Sequence, residues 1–301
     1  MSMSQQTSTI AAGPDRFTFA DFAELTRLRL TSLILVTAAV GFLLFPGHAG
    51  MGVRLLSVLI GLGLVSAGAT ACNQVIERDT DARMSRTQNR PLPRGRITPP
   101  AALGLGTIFC ALGLVVLMTK AGLPTAILAA ASAAIYIAAY TPLKRRSSLN
   151  TLVGAVSGAL PPVIGWVGAG GRLDGGATVL FGILFVWQLI HLFAIAWIYR
   201  EDYANAGLVM VSGTDDEAGT LTMRLILLSS LTMIPISLLP SLIGQAGLPY
   251  ALAALVLGLG FCAAAIHLAV RRSRVAARQL FLASIAYLPI LLFVLVIDHV
   301  S

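Results

Sequence analysis

Residues 53–91, VRLLSVLIGLGLVSAGATACNQVIERDTDARMSRTQNRP, run from an apolar stretch into a strongly polar one with no glycine or proline at the junction. An α-helix rises about 1.5 Å per residue, so residues 53–72 suffice to cross a hydrocarbon layer of about 30 Å. Nothing stops that helix at its apolar edge. If it continues, Asn73, Glu77 and Asp81 follow one another at four-residue spacing. Each such step turns only about 40° around the axis, so the three oxygen-bearing side chains share one face. Asp79 points the opposite way and is expected to meet solvent or a basic neighbour.

The rest of the chain has the same apolar character. Of its 301 residues, 56% are hydrophobic and 11% charged, against roughly 25% charged in a soluble domain. That deficit excludes a soluble core and fits a chain whose solvent is mostly lipid. Nine runs are long and apolar enough to span: 30–47, 53–72, 100–119, 123–140, 149–169, 176–198, 222–243, 248–270 and 279–297. Turn signals at Pro46-Gly47, Gly122-Leu123-Pro124 and Gly247-Leu248-Pro249 separate neighbours. The predicted fold is an all-α polytopic membrane protein of nine transmembrane helices, one domain over residues 1–301. Residues 1–24, with Asp15 and Arg16, are expected to be a polar cytoplasmic tail without a cleavable signal.

Nine crossings put the termini on opposite sides. With a cytoplasmic N-terminus, all of the 21 Lys and Arg except Arg54, Lys120 and Arg172 fall on the cytoplasmic side, as the positive-inside bias requires. This accounts for the net charge of +8 with no nucleic-acid partner. It predicts a bacterial-type inner-membrane protein, bathed in membrane lipid, with its C-terminus outside the cytoplasm. The acids gather on the same side, although that bias does not govern them: of 13, only Asp174 and Asp298 do not. The clusters Glu77/Asp79/Asp81, Glu201/Asp202 and Asp215/Asp216/Glu217 stand out. Both signs collected at one face point to polar chemistry there.

An Asn and two carboxylates on one helical face suit Mg²⁺, which takes oxygen ligands and completes its shell with phosphates and water. Arg86 and Arg90 follow at four-residue spacing before Pro91 ends the helix, and guanidinium groups bind phosphate oxygens in fork geometry. Carboxylates followed by arginines in this order read as a Mg²⁺–diphosphate site. The same residues also suit a solvated helix end laced with four-residue ion pairs.

Asn73-Gln74-x-x-Glu77-Arg78-Asp79-x-Asp81, followed by Arg86-Thr87-x-Asn89-Arg90-Pro91-Leu92, resembles the first Asp-rich signature of the UbiA-type intramembrane prenyltransferases. Its Asn-Gln opening and Arg-Thr-x-Asn-Arg-Pro tail are most similar to the protoheme IX farnesyltransferase (heme O synthase) family. Tyr140-Thr141-Pro142-Leu143-Lys144-Arg145 is similar to that family's loop after span 4. Asn150 and Gly158-Ala159-Leu160-Pro161-Pro162-Val163-Ile164-Gly165-Trp166 resemble its next span, and Trp187-Gln188-x-x-His191 with Asp202-Tyr203-x-x-Ala206-Gly207 its second signature. The likeness covers most of residues 25–225. It departs from the superfamily at the second signature, where Ile198 and Ala206 stand four residues either side of Asp202, leaving one acid.

The resemblance implies a central cavity opening to the cytoplasmic face, and Mg²⁺-dependent transfer of farnesyl from farnesyl diphosphate to a vinyl group of heme B, giving heme O for heme-copper oxidases. Carried over by position, Asn73, Glu77, Asp81 and Asp202 would hold metal and diphosphate. Arg86, Arg90, Lys144 and Arg145 would take diphosphate charge, and His191 and Tyr140 would face the acceptor. A heme A synthase or oxidase assembly proteins are the implied protein partners. The rivals are prenyl transfer to an aromatic or quinone-precursor acceptor and a secondary transporter. The second is disfavoured because His191 is nearly alone as an ionisable group inside a span. His48, His267, His299 and the cysteines Cys72, Cys110 and Cys262 read as structural.

Overall fold

The computed structural model describes residues 17–47, 50–216 and 219–299. Asp15, Arg16, His48 and Glu217 lie outside the described residues, as do residues 1–16 of the expected tail. Within the described residues the chain is helical and has no β-strand. It opens with α1 (Phe19–Leu25) and α2 (Leu28–Leu43), bent by 53° at their junction. Next come α3 (Gly52–Asp81), α4 (Pro99–Lys120) and α5 (Leu123–Ala134), the last passing through a π-helical turn (Ile135–Tyr140) into the single turn α6 (Thr141–Leu143). α7 (Asn150–Gly168) and α8 (Gly175–Ile198) lead to the short α9 (Arg200–Asn205) and α10 (Val211–Thr214). The last three helices are α11 (Thr220–Leu242), α12 (Leu248–Arg271) and α13 (Arg274–Ile297). Among the described residues, 8 helices, counting α5 through Leu143 as one, are long and apolar enough to cross a membrane, and the bent α1–α2 pair brings the number to 9.

The eight later expected spans are present, and the first lies over the bent α1–α2 pair, its helix ending at Leu43; three differences stand out. The first span is preceded by a break at Thr26-Arg27, where Arg27 takes the left-handed backbone region at φ 46°. Gln74 Nε2 caps the end of α1 from α3, donating to the carbonyls of Glu24 at 3.0 Å and Leu25 at 2.8 Å. Residues 19–24 of the expected tail are therefore helical, and Asp21 is buried, accepting from Arg96 Nε at 2.7 Å. Second, α3 does run past its apolar edge but stops at Asp81 rather than at Pro91. Thr87 Oγ1 donates to the Asp81 carbonyl at 2.8 Å, and the chain folds back in turns, so Arg86 and Arg90 do not stand on one helical face. Third, α13 starts at Arg274 instead of 279, because the Ser273 hydroxyl accepts the Ala276 N–H at 3.2 Å and caps the helix there.

Packing follows the rule for helices in lipid, where close backbone approach replaces the hydrophobic drive. Where α2 lies against α7, Gly41 faces the Pro162 carbonyl and Gly165 faces the Ala38 carbonyl; a β-carbon on either glycine would overlap the opposing backbone. One buried cluster joins α7, α8 and α11–α13 around Ile183, Ile226, Met233 and Tyr250. Another joins α2–α5 and α7 around Ala38, Leu62, Leu117 and Ile164. Ile108, Leu228, Val256 and Phe293 stand exposed on outer faces, as side chains that meet lipid do.

Candidate active site

The polar face foreseen on α3 is present. Asn73, Glu77 and Asp81 are 0%, 8% and 1% exposed, while Asp79 stands outside, paired with Arg78 at 3.2 Å. Buried carboxylates need compensating charge, and cations reach these two from different directions. The turns after α3 bring Arg90 Nη1 to 2.6 Å from Asp81 Oδ2. The end of the fourth span brings Lys144 Nζ to 2.6 Å from Glu77 Oε1, and Arg145 donates to Thr80 Oγ1. Tyr140 lies beneath Lys144, its ring centroid 4.4 Å from Nζ. Burial works against the Lys144 ammonium, but the oxygens of Tyr140 and Glu77 outweigh it and raise its pKa above the ordinary lysine value.

Local sequence explains why the fourth span delivers these groups. Pro142 has no N–H with which to continue an α-turn. The chain takes the π-helical turn Ile135–Tyr140 just before it, a form enriched at functional sites, and Thr141 Oγ1 donates to the Tyr136 carbonyl at 2.7 Å.

Asn73 anchors residues that the sequence did not single out. Its Nδ2 donates to Thr141 Oγ1 at 2.8 Å. Its Oδ1 accepts from Tyr136 Oη at 3.2 Å and from Arg27 Nη2 at 3.3 Å, and Arg27 Nη1 donates to Tyr136 Oη at 3.2 Å. Arg27 had counted only toward topology. Tyr136 carried one signal: it precedes Tyr140 by about one turn, and the two rings stack at 5.6 Å.

The second signature meets the first through its loop. Asp202, on α9, accepts from Ser85 Oγ at 3.1 Å, and the exposed Arg86 lies 5.5 Å from the centre of the Tyr199 ring. The segment after α9 is tied to the cationic loop: Val209 N–H donates to the Lys144 carbonyl and Asn150 Nδ2 to the Val209 carbonyl, both at 2.7 Å. The described members of the third acidic cluster, Asp215 and Asp216, take a different part. Asp215 accepts the N–H groups of Leu221 at 3.0 Å and Thr222 at 2.6 Å, and Asp216 that of Thr220 at 2.7 Å. These two acids cap α11 instead of joining the buried polar face.

His191, on α8, packs against α13. Its Nδ1 lies 2.7 Å from Ser284 Oγ, and its ring lies 5.1 Å from that of Trp187 and 5.0 Å from that of Phe281. None of these contacts reaches α3.

Among the described residues, no three of His, Cys, Asp and Glu gather closely enough to hold a metal ion. Asn73, Glu77, Asp81 and Asp202 are therefore not a ready-made cage: Glu77 and Asp81 face cations, and Asp202 faces a hydroxyl. The donor set is nonetheless what a hard divalent ion uses when phosphate oxygens and water complete its shell. Two buried acids among Arg27, Arg90, Lys144 and Arg145 suit a polyanion that brings such an ion with it.

Residues 34–292 match the family model described as the UbiA prenyltransferase family. The chain is 40% identical over 288 residues to the protoheme IX farnesyltransferase of Solibacter usitatus, covering 93% of this chain and 98% of that protein. It is 42% identical over 298 residues to that of Koribacter versatilis, covering 93% of each. It is also 42% identical over 290 residues to that of Anaeromyxobacter sp. strain Fw109-5, covering 96% and 97%. In fold it is similar to digeranylgeranylglyceryl phosphate synthase, with TM-score 0.78 and 16% identity over 93% of this chain and 97% of that one. It is also similar to a UbiA homologue from Archaeoglobus fulgidus bound to DMAPP and Mg²⁺, with TM-score 0.68 and 14% identity over 92% and 99%.

Proposed function

The chain belongs to the UbiA prenyltransferase family, and from that premise we propose that it transfers the farnesyl group of farnesyl diphosphate to a vinyl group of heme B, making heme O. One observation carries the reading. A buried column of Asn73, Glu77 and Asp81 ends a membrane helix and is faced by Arg90 and Lys144, in a multi-pass chain 40% to 42% identical, over nearly its whole length, to proteins named for farnesyl transfer to protoheme IX.

Ionising an allylic diphosphate breaks its C1–O bond and leaves both electrons on the diphosphate. Fixed cations stabilise that charge where it develops. Arg90, Lys144 and Arg145 supply it, with Arg27, whose Nε is buried without a partner among the described residues, and Arg86 at the rim. The ion pairs to Glu77 and Asp81 hold these groups charged in a buried place before substrate arrives. Asn73, Glu77, Asp81 and Asp202 are the residues that would hold Mg²⁺, which supplies further neutralisation of the phosphate oxygens when bound.

The farnesyl cation has to meet its acceptor before water does, which an apolar bundle favours. The electron-rich vinyl carbon of heme attacks C1, forming the new C–C bond. Water then adds to the resulting cation and loses a proton, leaving a hydroxyl. His191 and Tyr140 face the acceptor in this reading. In this reading the protein sits in a bacterial inner membrane with its N-terminus in the cytoplasm, an orientation the Lys and Arg bias supports, and a heme A synthase or oxidase assembly proteins would receive the product.

The test is mass analysis of hemes extracted from membranes of a heme O-deficient host expressing the chain, with Asp81→Ala beside it. Heme O is expected with the unaltered chain and absent with the variant. Heme B alone, despite good expression, refutes the acceptor and points to aromatic acceptors. A product lacking the added hydroxyl refutes the water step.

A further inference from the structure

Ser284, on α13, is fully buried and takes part in three hydrogen bonds, two of them to α8. Its carbonyl accepts the Trp187 indole N–H at 2.8 Å. Its hydroxyl lies 2.6 Å from the Phe281 carbonyl and 2.7 Å from His191 Nδ1.

A serine hydroxyl has one proton to give. The Phe281 carbonyl can only accept, and two bare oxygens at that separation would repel, so the proton lies between them. The Ser284 oxygen must then accept from His191, which places a hydrogen on Nδ1. A neutral imidazole carries one N–H, so Nε2 keeps its lone pair. No hydrogen bond to Nε2 exists among the described residues, and Nε2 is not among the polar atoms closed off inside the protein. Trp187 stacks on the ring at an interplanar angle of 21° and Phe281 leans on it at 33°, which restricts its rotation.

We infer that Ser284 is a positioning residue for the acceptor: it fixes the Nδ1–H tautomer of His191 and leaves Nε2 open as a ligand for the iron of the heme substrate. The inference rests on the reading of heme as acceptor. Histidines that bind metal through one nitrogen commonly donate the other N–H to a fixed oxygen, which orients the ring and strengthens the ligand. Here that oxygen belongs to a residue whose carbonyl also holds Trp187, so one buried serine sets ring plane, tautomer and helix register together.

The full chain in lipid nanodiscs is titrated with ferric heme and followed by absorption and electron paramagnetic resonance. His191→Ala, Ser284→Ala and Ser284→Thr are compared, with farnesyl diphosphate binding as the check on folding. The unaltered chain and Ser284→Thr, which keeps the hydroxyl, are expected to share one histidine-ligated spectrum. His191→Ala loses that spectrum. Ser284→Ala broadens or shifts it and weakens heme binding roughly tenfold, with farnesyl diphosphate binding unchanged. Ser284→Cys, close in shape but a poor acceptor, gives the same readout if the alanine variant does not fold. If His191→Ala keeps the original spectrum, the acceptor-side reading of His191 fails and this inference falls with it. If His191→Ala loses the spectrum while Ser284→Ala or Ser284→Cys retains spectrum and affinity, that reading stands and the role of Ser284 alone is refuted.

Discussion

At the scale of single residues, the Asp81–Arg90 pair separates charge from geometry. Arg90 reaches back over the turns that follow α3 to meet a carboxylate that is 1% exposed. Removing one partner of such a buried pair leaves the other uncompensated, a loss of about 3–5 kcal/mol. Arg90→Ala is therefore expected to lower the melting temperature of the purified protein sharply. Arg90→Lys keeps the charge but loses the planar fork that can hold a carboxylate and a phosphate oxygen together. It is expected to melt close to the unaltered chain while making heme O at least about tenfold more slowly. Full activity in Arg90→Lys would mean that Arg90 only balances Asp81. The column Asn73, Glu77 and Asp81 was legible because four-residue spacing is a local property of one helix. The partners of Asn73 were not: Arg27, Tyr136 and Thr141 lie 46, 63 and 68 residues away along the chain, and only the packing of separate spans brings them together.

At the scale of elements, the same residue type serves two purposes. Asp174 Oδ1 accepts the Ala177 N–H at the start of α8, and Asp298 Oδ2 accepts those of Gly247 and Tyr250 at the start of α12. Asp215 does the same for α11. Burial pushes the Asp215 carboxyl pKa up, but the backbone N–H groups of Thr222 and Leu221 outweigh it and leave the pKa below the ordinary carboxylate value. A depressed pKa means that the cap contributes its stability above the usual carboxylate range and loses it as pH falls through the lowered value. Asp215→Ala is expected to cost about 1 kcal/mol of stability at neutral pH and to melt like the unaltered chain at low pH. Its rate of heme O formation per folded molecule should not change; a large loss of rate would place Asp215 at the reacting site. The sequence left Asp215 and Asp216 without a role, because an Asp ahead of an apolar run looks the same as a cap or as a site acid. Nor did it show the break at Arg27, where no glycine or proline marks the left-handed residue.

At the scale of the whole molecule, eight of the nine expected crossings were legible as single helices and the form of the first was not. α2 runs only from Leu28 to Leu43, 16 residues or about 24 Å of helix, short of a hydrocarbon layer of about 30 Å. α1 precedes it at 53°. The pair therefore either completes a crossing or dips in and returns, and parity distinguishes the two: nine crossings set the termini on opposite sides, eight on the same side. Two observations favour crossing. α2 packs closely along α7, with Gly165 against Ala38 and Gly41 against Pro162, and α7 is itself a candidate span. Only with nine crossings do Arg29, the loop around Arg90 and Lys144, and the Arg271–Arg274 corner share one face, as the Lys and Arg bias demands. A reporter that fluoresces only in the cytoplasm is expected to light up at the N-terminus and stay dark at the C-terminus, while a phosphatase active only outside it works at the C-terminus alone. A phosphatase active at both termini, with the fluorescent reporter dark at both, would make the α1–α2 pair re-entrant, and Arg27 would then reach Asn73 from a segment that never crosses the membrane.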